Sequence, residues 1–253
     1  MGFICPKQNQ MVYRPRKPEK TVLFEIVKKH YLQKQTLLQK VLHIVIDEIK
    51  KALVIRGPDI SNVQIGAISF IQHFGNTLNA HPHFHILFAD GIFSGEREEL
   101  RFYESYLTQD TIADVQDKIR CRVLRFFKRK GFFAKEDLEK MLKYENSGFS
   151  LDATVRIESW DREGLERIIR YCARPPFASE NLRWNGPWIS YRLPKPSRTG
   201  QKFIQLDPLE FLERISAFIP YPRHHRRHYH GVFAPNSPLR KKSRIMCKNG
   251  KCR

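Results

Sequence analysis

The sequence predicts an α+β fold on three observations. Residues 63–73 form a β-branched, apolar run followed by the turn pair Gly75-Asn76 and a second short run over 82–88, the pattern of a hairpin. Residues 110–128 repeat apolar side chains at helical spacing, placing Ile112, Val115, Ile119, Val123, Leu124 and Phe127 inward and basic residues outward. Residues 151–158 read as a strand, and 162–172 as a helix stopped by Pro175-Pro176.

The remaining elements follow in chain order. Residues 1–20 are basic and punctuated by Pro6, Pro15 and Pro18, so they are expected as an irregular arm. A helical pattern starts at Thr21 and resumes through Leu37, Leu38, Val41, Leu42, Val45, Ile49 and Leu53 until Gly57-Pro58 ends it; one long helix or two are both compatible with the pattern. Helices are further expected over 98–107, 135–144 and 208–218, and a second hairpin over 188–193 and 202–205. The segment beyond, rich in His, Arg and Pro, is expected to end in a disordered tail.

Charge narrows the class of partner. The chain of 253 residues holds 45 Lys plus Arg against 26 Asp plus Glu, a formal net charge of +19. Residues 221–253 contain ten Lys or Arg and no acid, and a second cluster comprises Lys118, Arg120, Arg122, Arg125, Lys128, Arg129 and Lys130. Such clusters release counterions from a phosphate backbone and favour nucleic acid as partner. The basic stretches lack a clean amphipathic stripe, which argues against a membrane surface. There is no run of about 18 apolar residues and no signal-peptide core, so a spanning segment and secretion are not expected. Cys5, Cys121, Cys172, Cys247 and Cys252 are scattered, as in a reducing compartment, and only Cys247 and Cys252 are close, which is weak evidence for zinc.

The sharpest local feature is His83-Phe84-His85. On a strand, alternate side chains share a face, so the two imidazoles would converge while Phe84 turns to the other side. If the hairpin is symmetric about residue 78, position 73 lies opposite 83; His73 or its neighbour Gln72 would then supply a third ligand, with His73 of better parity. His81 is expected as a solvated turn residue. Two or three neutral ligands suit manganese, zinc or iron, and admit a harder ion once phosphate joins the shell. Tyr171 is the candidate nucleophile, near a helix end between Arg170 and Arg174, although it shares a face with Ile168 and would equally suit core packing. His224, His225, His228 and His230 alternate with Arg223, Arg226 and Arg227, whose charge would repel a cation, so phosphate contact is the better reading there. Tyr221, Tyr229 and Phe233 in the same segment could stack on unpaired bases or anchor it to the core.

These residues also form an ordered set: the run Gly66 to Gly75, Leu78-Asn79, the His83-Phe84-His85 triplet with Asp90-Gly91, Tyr171-Cys172-Ala173-Arg174-Pro175-Pro176, Asp207 to Leu212, and Tyr229 to Asn236. Over about residues 36–240 the chain resembles the rolling-circle insertion-sequence transposases of the HUH (His-hydrophobic-His) nuclease class. The resemblance implies a central antiparallel sheet that carries the His-x-His strand and is flanked by helices. It also implies Mg or Mn held by His83, His85 and a further polar side chain, and attack by Tyr171 on single-stranded DNA at element ends, leaving a 5′-phosphotyrosine and a free 3′-OH. Arg170, Arg174, Arg223, Arg226, Arg227, Lys128 and Arg129 are the expected DNA contacts. No membrane and no small-molecule substrate are expected, and the place of action would be a bacterial cytoplasm.

Two departures qualify the resemblance. Arg167 stands where some members carry a second tyrosine, which suggests the single-tyrosine branch. The family usually opens with a Cys-rich zinc module, of which Cys5 is at most a remnant, and residues 11–34 with Tyr13-Arg14-Pro15-Arg16-Lys17-Pro18 resemble its usual opening without the long connection to 36. The expected organisation is thus a basic arm over 1–35, a nuclease core over 36–220 and a basic segment over 221–253. The competing readings are an inactive truncated copy that only binds DNA and, more remotely, a structural RNA-binding protein.

Overall fold

The computed structural model describes residues 8–13, 34–95, 99–132, 134–197, 200–219 and 225–243. The fold is α+β, built on antiparallel sheets flanked by helices. Its main sheet has five strands in the order β10-β2-β3-β1-β6, comprising β1 (Gln8–Tyr13), β2 (Gly66–Phe74), β3 (Ala80–Ala89), β6 (Leu151–Ile157) and β10 (Arg227–Gly231). Two smaller sheets pair β4 (Gly91–Gly95) with β5 (Leu100–Glu104), and β7 (Leu182–Asn185) with β8 (Trp188–Arg192) and β9 (Phe203–Leu206).

Burial on both faces explains why β2 and β3 read as nearly continuous apolar runs. Ala67, Ile71, Phe84, Ile86 and Phe88 point to one face, where α1 (Lys34–Arg56) and α2 (Gln109–Arg129) close the largest core cluster. Leu37, Leu38, Val41, Leu42, Val45, Ile49 and Leu53 of α1 are all buried there, as are Val115, Ile119, Val123, Leu124 and Phe127 of α2, and Ile112, the sixth predicted inward residue, is buried as well. The other face carries Phe70, Leu87 and Ile157, covered by Leu165 and Cys172 of α4 (Arg162–Cys172). Asp161 starts α4 by accepting a hydrogen bond from the Gly164 N–H at 2.8 Å. The shorter helices are α3 (Lys135–Lys143) and α5 (Pro208–Ser216). The three-stranded sheet buries Tyr191, Leu193 and Leu206 against Phe74 and Leu78 at the end of the β2–β3 hairpin, and β7 is a strand the sequence pattern did not suggest.

Three expectations are corrected. Residues 8–13, expected within an irregular arm, form β1 between β3 and β6. Residues 100–104, expected within a helix, form β5: Phe102 alternates with its neighbours and packs on Phe93 across the ribbon at 4.9 Å between ring centroids. Gly91 permits that pairing, because a Cβ there would lie 2.2 Å from the Tyr103 carbonyl oxygen. The His/Arg-rich segment supplies β10, and Val232 and Phe233 anchor it against Ala89 and Phe93. Strands β1 and β10 fall outside residues 36–220, yet complete the same sheet. The helix expected from Thr21 is described only from Lys34, and residues 21–33, the expected tail beyond 243 and Cys5, Cys247 and Cys252 lie outside the described residues. Cys121 is half-buried and Cys172 is buried.

His230 of β10 sits over Ser69, whose hydroxyl lies 2.9 Å from Nε2. Burial, with His228 and His43 adding to it, lowers its pKa from 6.5 to about 4. A depressed histidine contributes stability that is complete above its unfolded pKa and is lost as pH falls through 6.5 toward about 4. Urea unfolding at neutral pH and near pH 4 should therefore show the unmodified chain losing up to about 3 kcal/mol more than His230→Gln. Equal losses in the two proteins would remove His230 from the acid response.

Candidate functional site

The register of β2 against β3 sets the site. Phe70 pairs with His85, Ile71 with Phe84 and Gln72 with His83, so the two histidines and Gln72 share the face covered by α4. Phe84 turns to the opposite face and is fully buried in the α1/α2 core. The imidazole centroids of His83 and His85 lie 4.9 Å apart at 74°. The expected parity fails at one point, because the ladder shifts between Gln72 and Phe74, which pairs with Ala80. His73 takes up that irregularity, and Gln72 rather than His73 stands opposite His83. His81 stays close to the pair, 5.3 Å from His83 between centroids.

Hydrogen bonds orient these side chains. His83 Nδ1 lies 2.8 Å from the His81 carbonyl oxygen; a carbonyl only accepts, so Nδ1 carries a proton and Nε2 is the nitrogen that could act as a ligand. Gln72 is 3 % exposed, and its Nε2 donates to the Cys172 carbonyl at 2.7 Å, while its Oε1 is buried with no hydrogen-bond partner. A buried carbonyl oxygen left this way costs about 1–3 kcal/mol. A cation beside it would offset that cost.

The same Gln72 bond ties β2 to the last turn of α4, which carries Tyr171. The half-buried Tyr171 ring stands 5.4 Å from His85, edge-on at 82°. Arg174 lies over that ring, its guanidinium carbon 4.9 Å from the Tyr171 centroid and 5.8 Å from that of Phe74. Its Nη2 donates to Asn76 Oδ1 at 3.3 Å, and its Nε is buried without a hydrogen-bond partner. Cys172 is not a competing nucleophile, because burial pushes its thiol up to about 12. Arg170 and Arg167 are exposed on the outer side of α4.

Among the described residues no group of three or more His, Cys, Asp or Glu side chains is arranged to hold a metal ion. The donors assembled here are two imidazoles and one amide oxygen, a neutral set. The buried Oε1 of Gln72 and the proton position on His83 make the set compatible with a divalent ion that brings phosphate or water as further ligands.

The basic residues expected to bind DNA do not share one surface. Arg227 is exposed and pairs with Phe70, which pairs with His85, so it belongs to the same row of the sheet and the same face. Arg226 is exposed beside it, and Arg223 and His224 lie outside the described residues. Lys128 and Arg129 are exposed at the end of α2, which packs on the opposite face of the sheet. Acids also offset part of that second cluster: Lys118 pairs with Asp114, Arg120 with Asp117, and Arg122 with Asp47 and Glu48. Asn76 was legible only as a turn residue, and no spacing signal links it to Arg174, 98 positions away.

Among the described residues no helix is long and apolar enough to cross a membrane. No curated protein and no solved structure matches the chain significantly. The family described as Putative transposase matches residues 66–241, a span that takes in β2, β3, α4 and β10 and more than half of the sequence. The chain therefore belongs to that transposase family, and its histidine pair, Gln72 and Tyr171 all lie within the matched region.

Proposed function

We propose that this transposase nicks and transfers single-stranded DNA through a covalent tyrosine intermediate, in the rolling-circle manner of HUH nucleases. The observation that carries the reading is the edge-to-face succession of three rings, with His83 4.9 Å from His85 and His85 5.4 Å from Tyr171. His83, His85 and Gln72 would hold Mg or Mn, which supplies Lewis-acid polarisation of a phosphoryl oxygen. The Tyr171 oxygen forms a bond to the scissile phosphorus and gives up its proton. The bond from phosphorus to the 3′ oxygen breaks, and that oxygen leaves as a hydroxyl after taking a proton. The product is a 5′-phosphotyrosine with a free 3′ end, ready for transfer.

Each neighbour has a task in this scheme. Gln72 holds α4 to the histidine strand through the Cys172 carbonyl, so the phenol and the ligands move together. Arg174, fixed by Asn76 and by two rings, presents charge where a phosphate would arrive. Arg227 extends that charge along the same sheet face.

The test is a labelled single-stranded oligonucleotide that carries an element end, incubated with the full chain and Mn or Mg. A covalent adduct stable to denaturation is the expected result. DNA binding without an adduct, in either metal, would leave the reading of an inactive truncated copy that only binds DNA.

A further inference from the structure

The outer face of the small sheet β7–β8–β9 carries exposed rings and basic side chains together. Strand pairing sets Leu182, Ile189, Tyr191, Ile204 and Leu206 on its inner side, against Phe74 and Phe218. The alternate positions Arg183, Asn185, Trp188, Ser190, Arg192, Phe203 and Gln205 therefore share the outer side, and all but the buried Ser190 at its centre are exposed. Trp188 is 48 % exposed and Phe203 52 %. A folded chain gains nothing from leaving two large rings in water, and the three strands contain no Asp or Glu.

Spacing and charge indicate the occupant. Phe203 pairs with Arg192, four residues along β8 from Trp188, so the two rings stand about 13 Å apart along the strand direction. That is too far for one base and suits separate bases of one unpaired strand. Arg183 and Arg192 supply charge for its phosphates, and the amide of Gln205 can bond base edges, while that of Asn185 already donates to Ser190 Oγ at 3.1 Å. A duplex keeps its bases stacked on each other and could not use the rings.

We infer that this face is a stacking platform for single-stranded DNA, a second contact surface beyond the tyrosine site. The inference rests on the reading above for the identity of the strand, but its binding chemistry needs no nicking. The platform is tied to the nucleophile helix, because Arg174 bridges the rings of Tyr171 and Phe74, and Phe74 packs beneath the sheet.

The probe is fluorescein-labelled oligothymidylate, titrated by anisotropy against the full chain in EDTA. A Trp188→Ala/Phe203→Ala pair should bind about 10- to 100-fold more weakly, and Trp188→Phe, which keeps a ring, should stay within about threefold. Arg183→Ala/Arg192→Ala should lower the slope of log affinity against log salt by about 1.4, or about 0.7 for each phosphate contact on a single strand. Affinity within about twofold for the double aromatic variant, or a change in its oligomeric state alone, would overturn the platform. Loss of the adduct on adding Mn, with ring-dependent binding intact, would count against the tyrosine reading and leave the platform standing.

Discussion

Tyr171→Phe should form no covalent DNA adduct, a fall of at least about 10³-fold, while retaining the binding of the unmodified chain. Phenylalanine keeps the ring that meets His85 at 5.4 Å and the surface under Arg174, and removes only the oxygen that would bond to phosphorus. A loss of adduct therefore cannot be put down to lost packing. Denaturing gel electrophoresis of the labelled oligonucleotide reads the result directly. Persistence of the adduct would move the nucleophile elsewhere and leave Tyr171 as a packing residue of the Phe70–Leu87–Cys172 cluster.

The histidine pair should show the second large effect. His83→Ala and His85→Ala should each lower adduct formation about 10²-fold or more at limiting metal. Gln72→Leu should lower metal affinity about 10- to 100-fold and be partly rescued by excess Mn, because the imidazoles remain. His73→Leu should not be rescued or impaired in this metal-dependent way, since the ladder shift places Gln72 and not His73 opposite His83. Isothermal titration with Mn, alongside the adduct assay and a thermal unfolding control, separates ligand loss from damage to a fully buried position such as His85. Unchanged Mn affinity in the double histidine variant would remove the metal from this strand.

What the sequence made legible was local and periodic. The inward stripe of α2 emerged residue for residue, and the alternation around Phe84 placed both imidazoles on one face. Long-range register was not legible, because a one-residue irregularity at His73 reverses which side chain faces the histidine pair, and nothing in that run announces it. Residues 100–104 misled because Leu100, Phe102 and Tyr103 suit a helical or a strand period over so short a span, and only pairing with β4 decides. The approach of Tyr171 to His85 joins segments 86 positions apart in the chain and depends on α4 crossing the sheet. Residue chemistry alone offered both a nucleophile and a packing ring.

Strand β1 has a practical meaning for anyone trimming this protein. A version beginning at Thr36 would leave β3, the histidine strand, with one bare side, and would detach β6 from its neighbour. Two raw backbone edges beside an apolar sheet invite clumping between molecules. The minimal soluble unit should therefore keep the stretch around Gln8 to Tyr13, and light-scattering of the two versions would tell them apart.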